Sequence, residues 1–251
     1  LQTVNYSDTT WALLFNAAEG SVFQNQPLRQ ALAGIAQENA DVPSSGLYTD
    51  AKGLVPEGLT VDGLDYREAA GNPLPTILEP KALYLAARQG MATSDFSGVT
   101  LLLPKNAGLG ELADQINSAW QKECSLFFSV EEVEQDEFDA RIAAGKYTIA
   151  LAPIRAEGGS VYQMLQQFTT EGGSLTGYAD TVYADRLALS AQQTGKDRCA
   201  LLAQCERQLL ESCTVVPLMA QQKRLLLANG VRDLVFDPFF PVLDLTWAKM
   251  S

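Results

Sequence analysis

Val99-Thr-Leu-Leu-Leu103 is followed by four segments, 111–123, 125–130, 134–144 and 147–152, whose patterns alternate in kind. The first stretch is a continuous apolar run, as in a strand buried on both faces. Leu112, Ile116, Ala119 and Trp120 share one face of 111–123, which predicts a helix. Ser125-Leu-Phe-Phe-Ser-Val130 reads as a strand. The segment 134–144 reads as a helix carrying Phe138 and Ile142, with Gly145 as its cap. Tyr147-Thr-Ile-Ala-Leu-Ala152 closes the series as a third strand. Strand, helix, strand, helix, strand over 99–153 is a βαβαβ unit, so its strands should be parallel and its crossovers right-handed. The predicted class is therefore α/β, a mostly parallel sheet with helices on both faces.

On the N-terminal side, residues 1–16 read as extended and end in Trp11-Ala-Leu-Leu-Phe-Asn16. Pro27 suits a first helical turn, and Leu28, Leu32 and Ile35 follow on one face. Prolines and glycines break 40–75 into a long irregular loop, of the kind that serves a function or covers something. A short helix over 80–89 leads into the βαβαβ unit. On the C-terminal side, helices are predicted over 161–168, 183–192 and 197–212. The last carries Leu201, Leu202, Cys205, Leu209 and Leu210 along one stripe. Strands follow over 214–219 and 224–228, and Pro217 predicts an edge position or a strand end. The tail over 234–247 reads as extended, and its apolar run Phe236-Asp-Pro-Phe-Phe-Pro-Val-Leu either packs on the domain or meets another lobe.

Composition narrows the function. The chain has 251 residues, 47% hydrophobic and 19% charged, with a net charge of −12. That excess of acid disfavours nucleic acid and anionic membrane as partners, because both are held by basic patches. There are no histidines, which removes Ser-His-Asp, Cys-His and His-metal chemistry together. Cys124, Cys199, Cys205 and Cys213 form no C-x-x-C pair, and buried free thiols are expected. A disulfide among the last three stays open on spacing alone. Leu1 opens inside an extended stretch with no leader pattern, which reads as a piece of something longer.

Three constellations compete for a site. Gly108, Gly110 and Ala113 fit a G-x-G-x-x-A loop at 108–113 between strand and helix, with Glu131 about where a ribose-binding acid would sit. That pattern would mark a nucleotide-dependent α/β enzyme, although 104–107 separate the strand from Gly108, where the dinucleotide turn needs its first glycine. The acidic run Glu131, Glu132, Glu134, Asp136, Glu137 and Asp139 lacks the EF-hand frame and reads as a solvated helix start. Arg155-Ala-Glu157-Gly158-Gly159 follows the third strand, where ligands gather in open α/β sheets. Glu157 is either a receiver of a ligand cation there or an exposed acid in a flexible turn.

The ordered set of segments resembles the family 5 extracellular solute-binding proteins, the oligopeptide-, dipeptide- and nickel-binding receptors of ABC importers. Trp11 to Asn16, then Pro27-Leu-Arg29-Gln-Ala-Leu, resembles that family's Asn-ending strand and "vRqAl" helix start. Phe138-Asp-Ala-Arg-Ile-Ala-Ala-Gly-Lys-Tyr147 resembles "f...l..gdyd", and Cys205-Glu-Arg-Gln-Leu-Leu with Thr214-Val-Val-Pro217-Leu resembles "ae.il.e..pviPl". The resemblance covers only the second lobe and the return segment 231–251. It implies a single C-terminal lobe, 1–251, with the N-terminal lobe upstream of Leu1. It also implies a peptide or related small-molecule ligand, an ABC transporter permease as partner, an extracytoplasmic location as a lipoprotein or periplasmic protein, no catalysis and no cofactor; the absence of histidine disfavours a nickel ion, and no metal is expected. In peptide-binding relatives an Asp in W-x-A-D-Y-P-D receives the peptide ammonium. Glu157 stands at that Asp without the Trp, Tyr or Pro, and Arg155, Gly158 and Asn16 complete the expected ligand set.

Overall fold

The computed structural model describes residues 2–232, 235–236, 243–244, 246 and 249–250. In chain order its elements are β1 (Gln2–Phe15), α1 (Gln26–Asn39), β2 (Tyr48–Asp50), β3 (Thr60–Val61), β4 (Leu64–Asp65), α2 (Tyr66–Ala70) and α3 (Pro80–Ala87). Then come β5 (Thr100–Pro104), α4 (Gly110–Cys124), β6 (Ser129–Val133), α5 (Gln135–Ala143) and β7 (Ile149–Arg155). Helices α6 (Val161–Gln166), α7 (Thr181–Ser190) and α8 (Gly195–Glu211) lead to β8 (Val215–Leu227). Two short pairs follow, β9 (Val231–Arg232) with β12 (Lys249–Met250) and β10 (Val235–Phe236) with β11 (Leu243–Asp244). Residues 237–242, in the Phe- and Pro-rich tail, lie outside the described residues.

The main sheet has the order β2-β8-β1-β7-β5-β6. Its β6-β5-β7 part is the βαβαβ unit, and these strands are parallel. The expectation of a mostly parallel sheet holds for this part alone. Strand β1 runs against both β7 and β8, and β2 runs against β8, so the sheet is mixed. A local apolar pattern fixes that a strand is buried, not which way its neighbour runs.

Alternation along the strands feeds two cores. Trp11, Leu13, Phe15, Leu101, Leu103, Ile149 and Leu151 face α1, α3 and α4. Ala12, Leu14, Leu102, Ala150, Ala152 and Ile154 face α2 and α5 to α8. Trp120 anchors the first layer; its Nε1–H donates to the Leu32 carbonyl at 2.9 Å and its ring meets Phe128 edge-on at 5.5 Å. That packing corrects the strand expected over 125–130. Ser125 takes a left-handed conformation (φ 56°) as the cap of α4, Leu126 and Phe128 fold back onto the helix, and pairing starts only at Ser129. On α1, Arg29 is buried and donates to the carbonyls of Phe23, Gln24 and Ser212, tying that helix to the end of α8.

The strands expected over 214–219 and 224–228 are one strand, β8. Pro217 sits inside it, at a position paired with β1 on one side only. It lies next to a bulge, where Trp11 opposes Met219 while Ala12 opposes Pro217, and β2 reaches only Met219 to Gln221. A residue without an N–H is tolerated there because no partner on that side needs one.

The segment 40–75 is more ordered than its composition suggests. Leu54, Val55, Leu59, Val61 and Tyr66 are buried in the second core. Their loop is pinned by Glu206, which is 0% exposed on the apolar stripe of α8. One Glu206 oxygen accepts from the Val55 N–H at 2.9 Å and from Arg67 at 2.7 Å; the other accepts from the Tyr66 hydroxyl at 2.9 Å. Arg67 also donates to the carbonyls of Val55 and Gly71. Gly53 packs directly over the pair: a Cβ there would lie 2.6 Å from the guanidinium and 2.7 Å from the carboxylate.

A buried pair contributes little net stability, but removing one partner strands the other charge. Glu206→Ala should therefore cost about 3–5 kcal/mol in urea unfolding. A loss below about 1 kcal/mol would show that the loop does not depend on this carboxylate.

Candidate functional site

The strand β7 ends at Arg155, and the turn that follows sets Glu157 and Gly158 beyond its carboxyl end. Glu157 to Gly159 form a single 3₁₀ turn after the strand, and Gly158 takes a left-handed φ of 56° that a side chain would resist. Ser160 then caps α6 by accepting from the Gln163 N–H at 3.2 Å. The turn is seated by the Ala156 N–H, which donates to the Asp8 carbonyl at 2.8 Å. Arg155 and Glu157 are exposed. Among the described residues, no hydrogen bond or ion pair engages either side chain. Two opposite charges two residues apart, both unspent, are suited to a ligand that carries both signs.

Beside this turn lies a cleft of ≈ 240 Å³, walled by Phe138 and Ile142 of α5, by Pro153 to Arg155 of β7, and by Gln167 and Leu175. Its floor is apolar and its rim carries Glu157. The volume is below the roughly 300–1,000 Å³ of sites that enclose a whole small molecule. A larger open groove of ≈ 580 Å³ runs between Asn39 and the polar flank of α4, through Glu111, Asp114, Ser118 and Lys122. Its lining side chains are mostly polar or charged, with Ala119 the apolar one, and none comes from a strand of the main sheet.

Asn16 is not part of this site. Thr9 pairs with Arg155 while Phe15 pairs with Ile149, so Asn16 lies past the opposite end of β1. Its amide donates to the carbonyls of Gly145 at 2.9 Å and Tyr147 at 2.8 Å, and its oxygen accepts from the Ala18 N–H at 3.0 Å. These bonds close the turn from α5 into β7 and leave the side chain nothing to offer a ligand.

The glycine loop fares no better as a dinucleotide site. A 3₁₀ turn, Lys105–Ala107, separates β5 from Gly108, and Leu109 rather than a glycine caps α4. Glu131 is held by Arg141 at 2.6 Å, and Lys105 pairs with Glu134 at 3.1 Å. Asp136 and Glu137 occupy the first turn of α5, where acids meet its N-terminal dipole. No group of three metal-ligating side chains occurs among the described residues.

No sequence-family model matches the chain, and no curated protein matches it. Solved structures do. Over 99% of this chain, Listeria monocytogenes OppA bound to peptide superposes with a TM-score of 0.76 at 19% identity, using 50% of its own length. The fold is that of half such a protein. The pheromone receptor PrgZ superposes with a TM-score of 0.79 at 16% identity, over 99% of this chain and 50% of its own. The substrate-binding domain of an oligopeptide ABC transporter from Bacillus anthracis gives 0.78 at 18%, over 99% and 51%. The chain thus spans about half the length of each of these structures.

All four cysteines are buried and unpaired. Burial pushes the thiols of Cys124, Cys205 and Cys213 up to about 12 and raises that of Cys199. None can serve as a nucleophile near neutrality, since the thiolate is the reactive form. A raised folded pKa means that stability is complete below the unfolded value of about 8.5 and declines as pH rises through the folded value. Alkylation of the native protein should therefore be slow at pH 8 and still be climbing at pH 10, whereas denatured protein should level off near pH 9–10. A native plateau near pH 9 at any of the four would show that thiol to be exposed.

Proposed function

We propose that this chain is the C-terminal lobe, 1–251, of a two-lobe extracytoplasmic solute receptor of an ABC importer, for a peptide or related small solute, and that it is not an enzyme. The observation that carries the reading is the superposition of 99% of the chain on half of a peptide-bound OppA. The cleft of ≈ 240 Å³ beside the carboxyl end of β7, with Glu157 in its lining, supports it. The N-terminal lobe would supply the opposite wall, and an ABC transporter permease would receive the closed form. Ligand contacts made with both lobes favour closure, which is how such a clamp reports occupancy. A lipid anchor or a periplasmic location follows from the same reading.

Within this lobe Glu157 would receive a ligand ammonium, Arg155 would face a carboxylate or carbonyl, and Gly158 would let the backbone approach. An ion pair closed away from water outweighs an exposed one. In the full two-lobe receptor, Glu157→Gln should weaken binding of a tripeptide with a free N-terminus by about 1.5–3 kcal/mol in calorimetry, the range for hydrogen bonds to charged groups. The N-acetylated tripeptide should bind weakly to wild type and lose nothing further in the variant. Thermal stability should hardly move, because the side chain makes no structural contact. Equal loss for both peptides would remove Glu157 from ammonium recognition. Micromolar binding of NAD(H) would overturn the receptor reading in favour of the glycine-loop enzyme.

A further inference from the structure

Strands β1 and β8 outrun the sheet they belong to. The strand β7 pairs with Thr9 to Phe15 only, and β2 pairs with Met219 to Gln221 only. Beyond those rungs, residues 2–6 pair with 223–227 and with nothing else in the main sheet. They leave it as a two-stranded ribbon. The register breaks where the ribbon begins: Tyr6 opposes Lys223, Thr9 opposes Gln221, and Ser7 with Asp8 stand against Gln222 alone. The Gln222 N–H turns away to the Leu47 carbonyl. The Ser7 hydroxyl, in a residue 5% exposed, is buried without a partner. A two-stranded ribbon joined at a bulge is the softest point of such a sheet.

Asp8 bridges this break in two directions. Its carboxylate receives the Lys223 ammonium at 2.5 Å and the Thr9 hydroxyl at 2.6 Å. The ammonium lies 5.9 Å from the centroid of the Tyr6 ring on the ribbon side. The Asp8 main-chain oxygen accepts the Ala156 N–H at 2.8 Å, the bond that seats the turn starting at Glu157. One residue thus holds the ribbon by its side chain and the candidate ligand turn by its backbone.

We infer that Asp8 and Lys223 form a coupling joint, in which the ion pair fixes the exit angle of the ribbon and thereby positions the Ala156–Glu157 turn. Lys223 is a positioning residue and touches no ligand. The ligand role of Glu157 rests on the function proposed above, whereas the coupling of ribbon to turn does not. If the joint exists, whatever bends the ribbon shifts Glu157, and whatever draws on Glu157 stiffens the ribbon.

Amide hydrogen exchange on the intact protein without ligand tests the coupling apart from any question of what binds. Lys223→Met should speed exchange at Ala156 by about two- to fivefold, the factor that a half-exposed ion pair can supply. Leu13 and Leu151, in the middle of the sheet, should keep their wild-type rates. Lys223→Arg should restore protection at Ala156. Raising the salt to 1 M should mimic the methionine variant in wild type and add nothing in the variant, because the pair is then screened. Unchanged exchange at Ala156 in Lys223→Met would overturn the joint, as would a rise shared equally by Leu13 and Leu151. Failure of the tripeptide titration alone would leave it standing.

Discussion

The whole arrangement hangs on one strand with both edges occupied. β1 lies between β7 and β8 and runs against both, so its backbone bonds join the βαβαβ unit to the C-terminal third of the chain. Its side chains alternate into the two cores, with Trp11, Leu13 and Phe15 on one face and Ala12 and Leu14 on the other. On the second face Ala12, with Ala150 and Ala152 beside it on β7, leaves room for the layer of α2 and α5 to α8. Bulky residues on the first meet α1 and α4 through the Phe15, Phe23 and Trp120 rings. Removing water from both faces of a single strand is what makes a six-stranded sheet out of two smaller pieces.

The polar interior follows a different logic from the apolar one. Arg29, Asn16, Asn117 and Glu206 are each buried, and each satisfies main-chain groups far away in sequence. Asn117 makes a two-way bond with the main chain of Phe128, which seats the segment ahead of β6. These residues serve as internal caps for loops that have no ladder of their own. The carboxyl end of β7 is the exception. There Arg155 and Glu157 stay exposed, and the stable scaffold beneath them keeps the turn in place.

Much of this was legible in the sequence because it is local. The apolar run at Leu101 to Leu103 told of burial on both faces, and the helix faces of α4 and α8 emerged from their periodicity. The turn after β7 was legible because a strand end and two glycines coincide there. What escaped was non-local. The antiparallel placement of β1 depends on partners well over a hundred residues away. Order in 40–75 depends on Glu206, which hides on a stripe read for its leucines. A glutamate between Leu202 and Leu209 on a buried face was the available signal. Ser125 to Phe128 looked like a strand because an apolar alternation cannot be told from a chain folding back on a helix. Asn16 looked available because nothing in its neighbourhood announces the carbonyls of Gly145 and Tyr147. Asp8 carried no motif, and its importance arises only from the bulge.

The position of β1 also sets a schedule for the molecule's birth. Its inner partner, β7, begins at Ile149 and its outer partner, β8, at Val215. At synthesis rates of about 5–20 residues per second, the first strand waits on the order of ten to forty seconds for its second neighbour. Until then the Trp11-Ala-Leu-Leu-Phe15 stretch has no finished sheet to enter, and closing so long a loop is slow in itself. Until the residues from Val215 onward are made, β1 has a sheet neighbour on one side alone.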